Sequence, residues 1–142
     1  MSTETRLVPA VFAAGPAAVL TSRDVVTATG EDTEKFLQGQ LSQDIAQLAP
    51  GGSAWSLLLQ PQGKVDAWLR VTRVDADTFL LDVDSGHGEA VVARLQRFLL
   101  RTRCALTSSS WPMVSVRGAG SHGLDVPIES GALVVVPAEW PG

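Results

Sequence analysis

The chain has 142 residues, the length of one domain, and 45% of them are hydrophobic, which is enough for a sizeable core. Its net charge of −4 argues against general affinity for nucleic acid, because phosphate binding requires a basic surface. The single cysteine, Cys104, excludes an intramolecular disulfide, and no apolar run is long enough to span a membrane. Neither His87 nor His122 has a cysteine or histidine neighbour at the spacing of a structural zinc site. These features indicate a cytoplasmic globular protein with no membrane, nucleic-acid or metal partner.

The first part of the chain is low in pattern. Residues 1–20 are predicted to be an irregular lead-in to a domain of residues 21–142, with a first strand at Val25–Thr29. From Glu31 to Leu48 four apolar residues recur at spacings of four, four and three, which predicts an amphipathic helix. They are Leu37, Leu41, Ile45 and Leu48. The segment Pro50-Gly51-Gly52 is expected to end this helix.

After the first helix the hydrophobic period changes from 3.6 to 2, which predicts an antiparallel meander of three strands. The strands are expected at Ser53–Leu59, Lys64–Val74 and Thr78–Val83. In the middle strand, apolar Val65, Ala67, Leu69 and Val71 alternate with a second set that includes Trp68, Arg70 and Thr72. One face of the sheet is therefore expected to pack, and the other to show Trp68, Arg70 and Thr72.

A second helix is predicted from about Gly88 to Arg101, where Val91, Leu95, Phe98 and Leu99 share a stripe. Three short strands are expected after it, at Cys104–Thr107, Met113–Arg117 and Leu133–Pro137, separated by serine-rich and glycine-rich loops. This order predicts an α+β fold in which helices cover one face of an antiparallel sheet. No closing helix follows the last strand, so we expect the amino-terminal part of a longer architecture, or pairing with a second copy.

The segment Phe36–Asp44, FLQGQLSQD, and the turn Gln60–Lys64, QPQGK, carry a family resemblance. They resemble the superfamily of the glycine-cleavage T-protein, a folate-dependent aminomethyltransferase, and most closely its YgfZ-type branch of folate-binding proteins tied to iron–sulfur cluster maintenance. Further similar segments are Arg97–Cys104 and Val114–Gly118. The resemblance spans about Val19 to Gly118 and implies the ferredoxin-like (split βαβ) elements of the aminomethyltransferase folate-binding domain.

Two features of the family are missing from this chain. The YgfZ-type branch carries a functional cysteine in a K-G-C-Y-x-G-Q-E segment, which is absent here, and Cys104 lies in a different context. The aminomethyltransferases carry a carboxylate just before the leucine equivalent to Leu69, where this chain has Trp68, and Asp66 is offset by two. The resemblance therefore assigns no catalytic residue to this chain.

A pterin is flat, heteroaromatic and rich in donors and acceptors, so its pocket requires an aromatic wall and a few polar groups. The resemblance places Trp55, Trp68, Arg70 and Thr72 at positions that line the folate site. In the alternative interpretation these residues only cover the sheet beneath a helix or another domain. Four arginines allow two interpretations, as a grip on the carboxylates of a folate's glutamyl tail or as a solvated helix face. They are Arg94, Arg97, Arg101 and Arg103.

The leading hypothesis is a non-catalytic protein that binds tetrahydrofolate or another folate, resembles YgfZ, and is linked to iron–sulfur cluster assembly or repair. A second hypothesis is a folate-dependent aminomethyltransferase that uses Asp66. The third is a ligandless dimerisation or scaffold module, like the related amino-terminal domain of the tRNA-modification GTPases.

Overall fold

The computed structural model describes residues 15–118 and residue 120. In chain order its elements are β1 (Ala17–Thr29), α1 (Thr33–Gln38), a 3-10 turn (Ile45–Gln47), β2 (Ser53–Leu59), β3 (Val65–Arg73), β4 (Thr78–Asp84), α2 (Gly88–Gln96) and β5 (Ala105–Arg117). The strands form one sheet in the order β2-β3-β4-β1-β5. The strand predicted at Leu133–Pro137 lies outside the described residues. No helix within residues 15–118 has the length and apolar character needed to cross a membrane.

The sheet topology confirms the predicted α+β class. Strands β1 and β3 both pair antiparallel with β4, so they run parallel to each other with β4 between them. Helix α1 lies in the connection between these two parallel strands, which is the split βαβ arrangement. Strand β2 pairs antiparallel with β3 and adds an edge to this unit.

The chain divides into two compact units. The larger one contains residues 22–111, and therefore α1, α2, β2, β3, β4 and most of β1. The smaller one contains the first residues of β1 and the last residues of β5, and in these described parts four large hydrophobic side chains are exposed. They are Val19, Leu20, Val114 and Val116.

The hydrophobic core of the larger unit lies between the two helices and one face of the sheet. Alternate residues of the strands supply the sheet side of this core: Val26, Ala28, Leu58, Leu69, Val71, Phe79, Leu81 and Val83. The helix side comes from Phe36, Leu37, Leu41, Ile45, Val91, Val92 and Leu95. The period-2 alternation predicted for β3 is present at Leu69 and Val71, which are fully buried, whereas Val65 is 56% exposed at the start of the strand.

The helix predicted from Glu31 to Leu48 is wrong in its length, although its apolar stripe is correct. Helix α1 stops at Gln38, and the Gln38 side-chain oxygen accepts hydrogen bonds from the backbone N–H of Ile45 and Ala46 at 2.7 and 3.0 Å. Leu41 then bridges to Leu58 on the edge strand β2. Side-chain and sheet-edge bonds thus replace the helical ladder, while Leu41 and Ile45 still reach the core.

Three further element predictions are corrected. The first strand begins at Ala17 rather than Val25, so residues 17–20 of the predicted irregular lead-in belong to β1, which has both β4 and β5 as neighbours in the sheet. Helix α2 ends at Gln96 rather than Arg101, since the next residues close the helix with turn bonds from Phe98 N to Leu95 O and from Leu99 N to Gln96 O. The predicted loop Ser108-Ser109-Ser110 is part of the continuous strand β5, which also joins the two short strands predicted on either side of it. Small polar residues are compatible with a strand whose alternate side chains are exposed.

Helix α2 is held against the sheet at its first residue. One carboxylate oxygen of Asp24, on β1, accepts hydrogen bonds from the backbone N–H of Gly86 and Gly88, each at 2.9 Å. A Cβ atom on Gly88 would lie 2.2 Å from Ser108 Oγ and 2.8 Å from Asp24 Cβ, so only glycine permits this approach. The start of α2 is therefore fixed relative to β1.

Candidate functional site

The four predicted site residues lie on one face of the sheet, opposite to the helix-covered core. Trp55 of β2 pairs with Arg70 of β3, and Arg70 pairs in turn with Asp82 of β4. Leu57 pairs with Trp68 in the same ladder. Residues that pair directly across a sheet point to the same side, so β2 and β3 bring the two tryptophans and Arg70 together.

The two tryptophans of this face contact each other. The ring centroids of Trp55 and Trp68 are 4.8 Å apart, with the planes inclined by 33°. The Arg70 guanidinium carbon lies 5.9 Å from the Trp55 ring centroid. Trp68 is 46% exposed, so this pair presents aromatic surface of the kind that a flat heteroaromatic ligand requires.

An ion-pair network that the sequence did not predict surrounds Arg70. The buried carboxylate of Asp82 bridges two arginines, with Oδ2 at 2.9 Å from Arg70 Nε and Oδ1 at 2.8 Å from Arg23 Nε. Arg23 also pairs with the exposed Asp84 at 2.6 Å. Asp82 interrupts the apolar run of β4, which is a sequence signal for a buried charge that needs a partner.

Thr72 differs from the prediction in its exposure. It lies on the expected face but is buried, and its hydroxyl donates to Ser53 Oγ at 3.2 Å. Ser53 pairs with Thr72 in the β2–β3 ladder, which explains the contact. Thr72 therefore supports the sheet beneath the tryptophan-bearing face instead of presenting a hydroxyl at the surface.

A cleft opens next to this face, where β3 and β4 cease to pair. Their ladder runs only from Arg73–Phe79 to Arg70–Asp82, although β3 extends back to Val65 and β4 extends on to Asp84. The cleft has a volume of about 740 Å³, within the range of roughly 300 to 1,000 Å³ that is usual for small-molecule sites.

The sheet and α2 both line the cleft. The sheet and its β2–β3 turn contribute Leu58, Gln60, Pro61, Gln62, Asp66, Ala67, Trp68, Val83 and Asp84. The segment of α2 contributes His87, Ala90, Val91, Ala93, Arg94, Arg97 and Phe98. Of the four predicted site residues, Trp68 alone lines this cleft. Arg94 and Arg97, considered from the sequence as a grip on carboxylates, line it as well.

Arg94 connects α2 to the turn end of the β2–β3 hairpin. Its Nε lies 2.8 Å from Asp66 Oδ2, its Nη2 donates to the Leu59 carbonyl at 2.9 Å, and its guanidinium carbon lies 4.5 Å from the Phe98 ring centroid. Its buried Nη1 has no hydrogen-bond partner within the part of the chain that the structure describes. These contacts hold the hairpin end beside the helix.

Both carboxylate oxygens of Asp66 accept hydrogen bonds where α2 meets the β2–β3 hairpin. Gln60 Nε2 donates to Asp66 Oδ1 at 2.6 Å, opposite the bond from Arg94. The Gln60 hydrogen bond, followed by the contacts with Arg94 and the charge of Arg97, lowers the pKa of the Asp66 carboxyl, against an opposing effect of desolvation. A carboxylate held ionised by two donors is a weak proton acceptor.

Comparison with known families identifies this architecture. Residues 20–124 match the family described as the GCVT N-terminal domain. The chain belongs to the GCVT N-terminal domain family. The crystal structure of the glycine cleavage system aminomethyltransferase T from Bartonella henselae has the same fold, with a TM-score of 0.65 and 24% identity over 71% of this chain and 29% of that chain.

Sequence relatives include an iron–sulfur cluster assembly factor homolog and a YgfZ protein. The chain is 33% identical over 100 residues to the mitochondrial iron-sulfur cluster assembly factor IBA57 homolog of Mycosarcoma maydis, covering 62% of this chain and 25% of that protein. It is 47% identical over 47 residues to the tRNA-modifying protein YgfZ of Photorhabdus laumondii, covering 33% and 14%. These matches confirm a YgfZ-type member of the superfamily over its amino-terminal portion. The chain spans a quarter or less of these two relatives.

The two sequence segments that carried the resemblance meet beside Arg94. A second, smaller cavity of about 330 Å³ is lined by Gly39–Ser42 from the first segment and by Gln60 and Pro61 from the second. Arg94 and Phe98 line both cavities. The segment that follows α1 and the β2–β3 turn therefore lie close together and line the same cavity.

Cys104 does not have the environment of a reactive thiol. It is partly buried against the core, and desolvation, the largest effect, raises its pKa above the ordinary value. Reactive cysteines have lowered pKa values, because the thiolate is the nucleophile and the metal ligand. Within residues 15–118 and residue 120, no group of three or more histidine, cysteine or acidic side chains is placed to hold a metal ion.

Proposed function

We propose that this chain binds a tetrahydrofolate-class ligand at the cleft beside Trp68 and does not transfer an aminomethyl group. The observation that carries the proposal is the position of Trp68. It lines a ligand-sized cleft and contacts Trp55, at the place where the resemblance puts the carboxylate of the aminomethyltransferases. An aromatic ring there favours stacking with a pterin and supplies no acid or base.

The fit to a folate rests on the chemistry of the cleft walls. Trp68 would contact the pterin, with Trp55 supporting it from the neighbouring strand. Gln60 and Gln62 bring side-chain amides to the cleft wall, and Arg94 and Arg97 bring guanidinium groups. A folate has a flat heteroaromatic end, which suits Trp68, and a carboxylate end, which suits the guanidinium groups.

Asp66 gives little support to the rival aminomethyltransferase hypothesis. Its carboxylate is engaged by Gln60 and Arg94, and its lowered pKa opposes proton uptake. That hypothesis requires tetrahydrofolate-dependent ammonia release from an aminomethyl-lipoyl carrier. Its decisive result would be activity in the unmodified protein that disappears in Asp66→Asn.

Tryptophan fluorescence during titration with tetrahydrofolate tests the proposal. We expect saturable quenching, weakened about tenfold in Trp68→Ala and unchanged in the control Trp111→Ala. Trp111 lies on β5 outside the cleft, with its indole N–H donating to Ser109. No saturable signal up to millimolar ligand would refute folate binding by this protein.

We further propose a role in iron–sulfur cluster assembly or repair, supported by the named role of the IBA57 homolog. We expect iron–sulfur enzymes to lose activity in cells that lack the protein, and normal activities there would contradict this role. A cytoplasmic location and pairing with a second copy remain predictions of the sequence.

A further inference from the structure

The α2 side of the cleft differs in chemistry from the sheet side. Trp68 forms an aromatic wall on β3, whereas His87, Arg94 and Arg97 bring cationic or titratable groups from the helix segment. Both walls belong to one cavity of about 740 Å³. A ligand that filled it would therefore meet both an aromatic surface and positively charged groups.

Most charges around the cleft are already compensated within the protein. Asp66 pairs with Arg94, and Asp84 pairs with Arg23, whose other bond goes to Asp82. Asp82 also pairs with Arg70, so these two arginines and two aspartates form a neutral set. Among the described arginines that line the cleft, one has no ion pair.

That arginine is Arg97. In the part of the chain that the structure describes, Arg97 makes no ion pair or side-chain hydrogen bond, although its field helps to lower the pKa of Asp66. It is exposed and follows the last residue of α2. The protein as a whole carries a charge of −4, so a guanidinium in the cleft wall that has no ion pair among the described residues is a local exception.

We infer that Arg97 recognises the glutamate carboxylates of the folate-class ligand, so that the cleft binds folates with an anionic tail more tightly than pterins without one. This inference rests on the proposed function and adds the specificity of the same site. A guanidinium binds a carboxylate through two parallel N–H bonds, and Arg97 is exposed with no side-chain hydrogen bond to any of the residues that the structure describes.

The expected gain in affinity is modest. Arg97 is exposed, so water and salt screen its charge, and the carbonyl groups at the end of α2 partly offset its attraction for an anion. We expect the tail to strengthen binding about three- to tenfold, the range of a surface charge pair with good geometry.

Calorimetric titration with three ligands tests this inference. The ligands are 5-formyltetrahydropteroate, which lacks glutamate, and 5-formyltetrahydrofolate with one and with three glutamates. We expect the unmodified protein to prefer the glutamylated ligands, and Arg97→Gln to bind all three with the affinity of the tail-less one. The control Arg103→Gln removes an arginine that pairs with Glu31 outside the cleft, and should keep the preference.

The possible outcomes separate the two proposals. If the unmodified protein binds all three ligands equally, or if Arg97→Gln keeps the preference, Arg97 recognition is refuted while folate binding stands. If Arg97→Gln weakens the tail-less ligand as much as the others, its effect is structural and the inference also fails. Absence of binding by every ligand refutes both proposals. Raising the salt concentration should reduce the preference in the unmodified protein but have no such effect in Arg97→Gln.

Discussion

The two faces of the sheet show two different uses of the same alternating sequence pattern. The helix-covered face carries aliphatic side chains such as Leu69 and Leu81, which are fully buried among residues of their own kind. The opposite face carries Trp68, Arg70 and Asp82, in which aromatic and charged groups contact one another. The first face is stabilised mainly by the burial of apolar side chains, whereas the second also has ion pairs and aromatic contacts between specific partners, and a cleft opens at its edge.

The largest expected effect lies on the helix-covered face. Leu69→Ala should lower the free energy of unfolding by about 2 to 5 kcal/mol, because it leaves a cavity in the closed core. Denaturant unfolding measures this change. The matched control is Val65→Ala in the same alternating set, which should stay within about 0.5 kcal/mol of the unmodified protein because Val65 is mostly exposed. Equal losses would show that burial does not distinguish the two positions.

A smaller loss is expected on the opposite face. Asp82→Asn keeps the shape but removes the charge that bridges Arg23 and Arg70, and should cost about 1 to 3 kcal/mol of unfolding free energy. Asp84→Asn is the control, since Asp84 pairs with Arg23 from an exposed position and should cost less than about 1 kcal/mol. A neutral Asp82→Asn would mean that the network contributes nothing to stability.

The smallest effect concerns the cleft edge. We expect NMR titration to find the pKa of the Asp66 carboxyl below its ordinary value, and to find it raised towards that value in Gln60→Ala, which removes the first of its donors. Gln62→Ala is the control. Because the folded-state pKa is lowered, Asp66 stabilises the protein above the ordinary aspartate pKa, and this contribution is lost as the pH falls through the lowered value. An unshifted Asp66 would contradict the junction with Gln60 and Arg94.

The first helix shows what a hydrophobic pattern predicts and what it does not. Leu37, Leu41 and Ile45 were predicted from their spacing to share one buried stripe, and all three are in the core. The backbone that carries them is a short helix, a sheet-edge bridge and a 3-10 turn. The spacing predicts which residues are buried. It does not predict where the helix ends, because this depends on hydrogen bonds to the Gln38 side chain and on the bridge to β2.

The candidate site was predictable to a similar degree. The face shared by Trp55, Trp68 and Arg70 followed from alternation and resemblance, and the ladder places these residues together. Asp82 was missed, because only the pairing of β4 with β3 and β1 shows which arginines compensate it. The cleft was missed as well, since nothing local in β3 marks the residue at which its pairing with β4 stops.

The sequence by itself determined the alternation of buried and exposed residues, the α+β class and the family, because these depend on local spacing and on residues adjacent in the chain. The tertiary structure decided the cleft and its charge. Arg94 contacts Asp66 and Leu59, which are about 30 residues away in the sequence. Asp66 belongs to the part of β3 that is not paired with β4. Contacts between distant residues decide which charges are compensated and leave Arg97 without an ion pair among residues 15–118, and no local pattern predicts this.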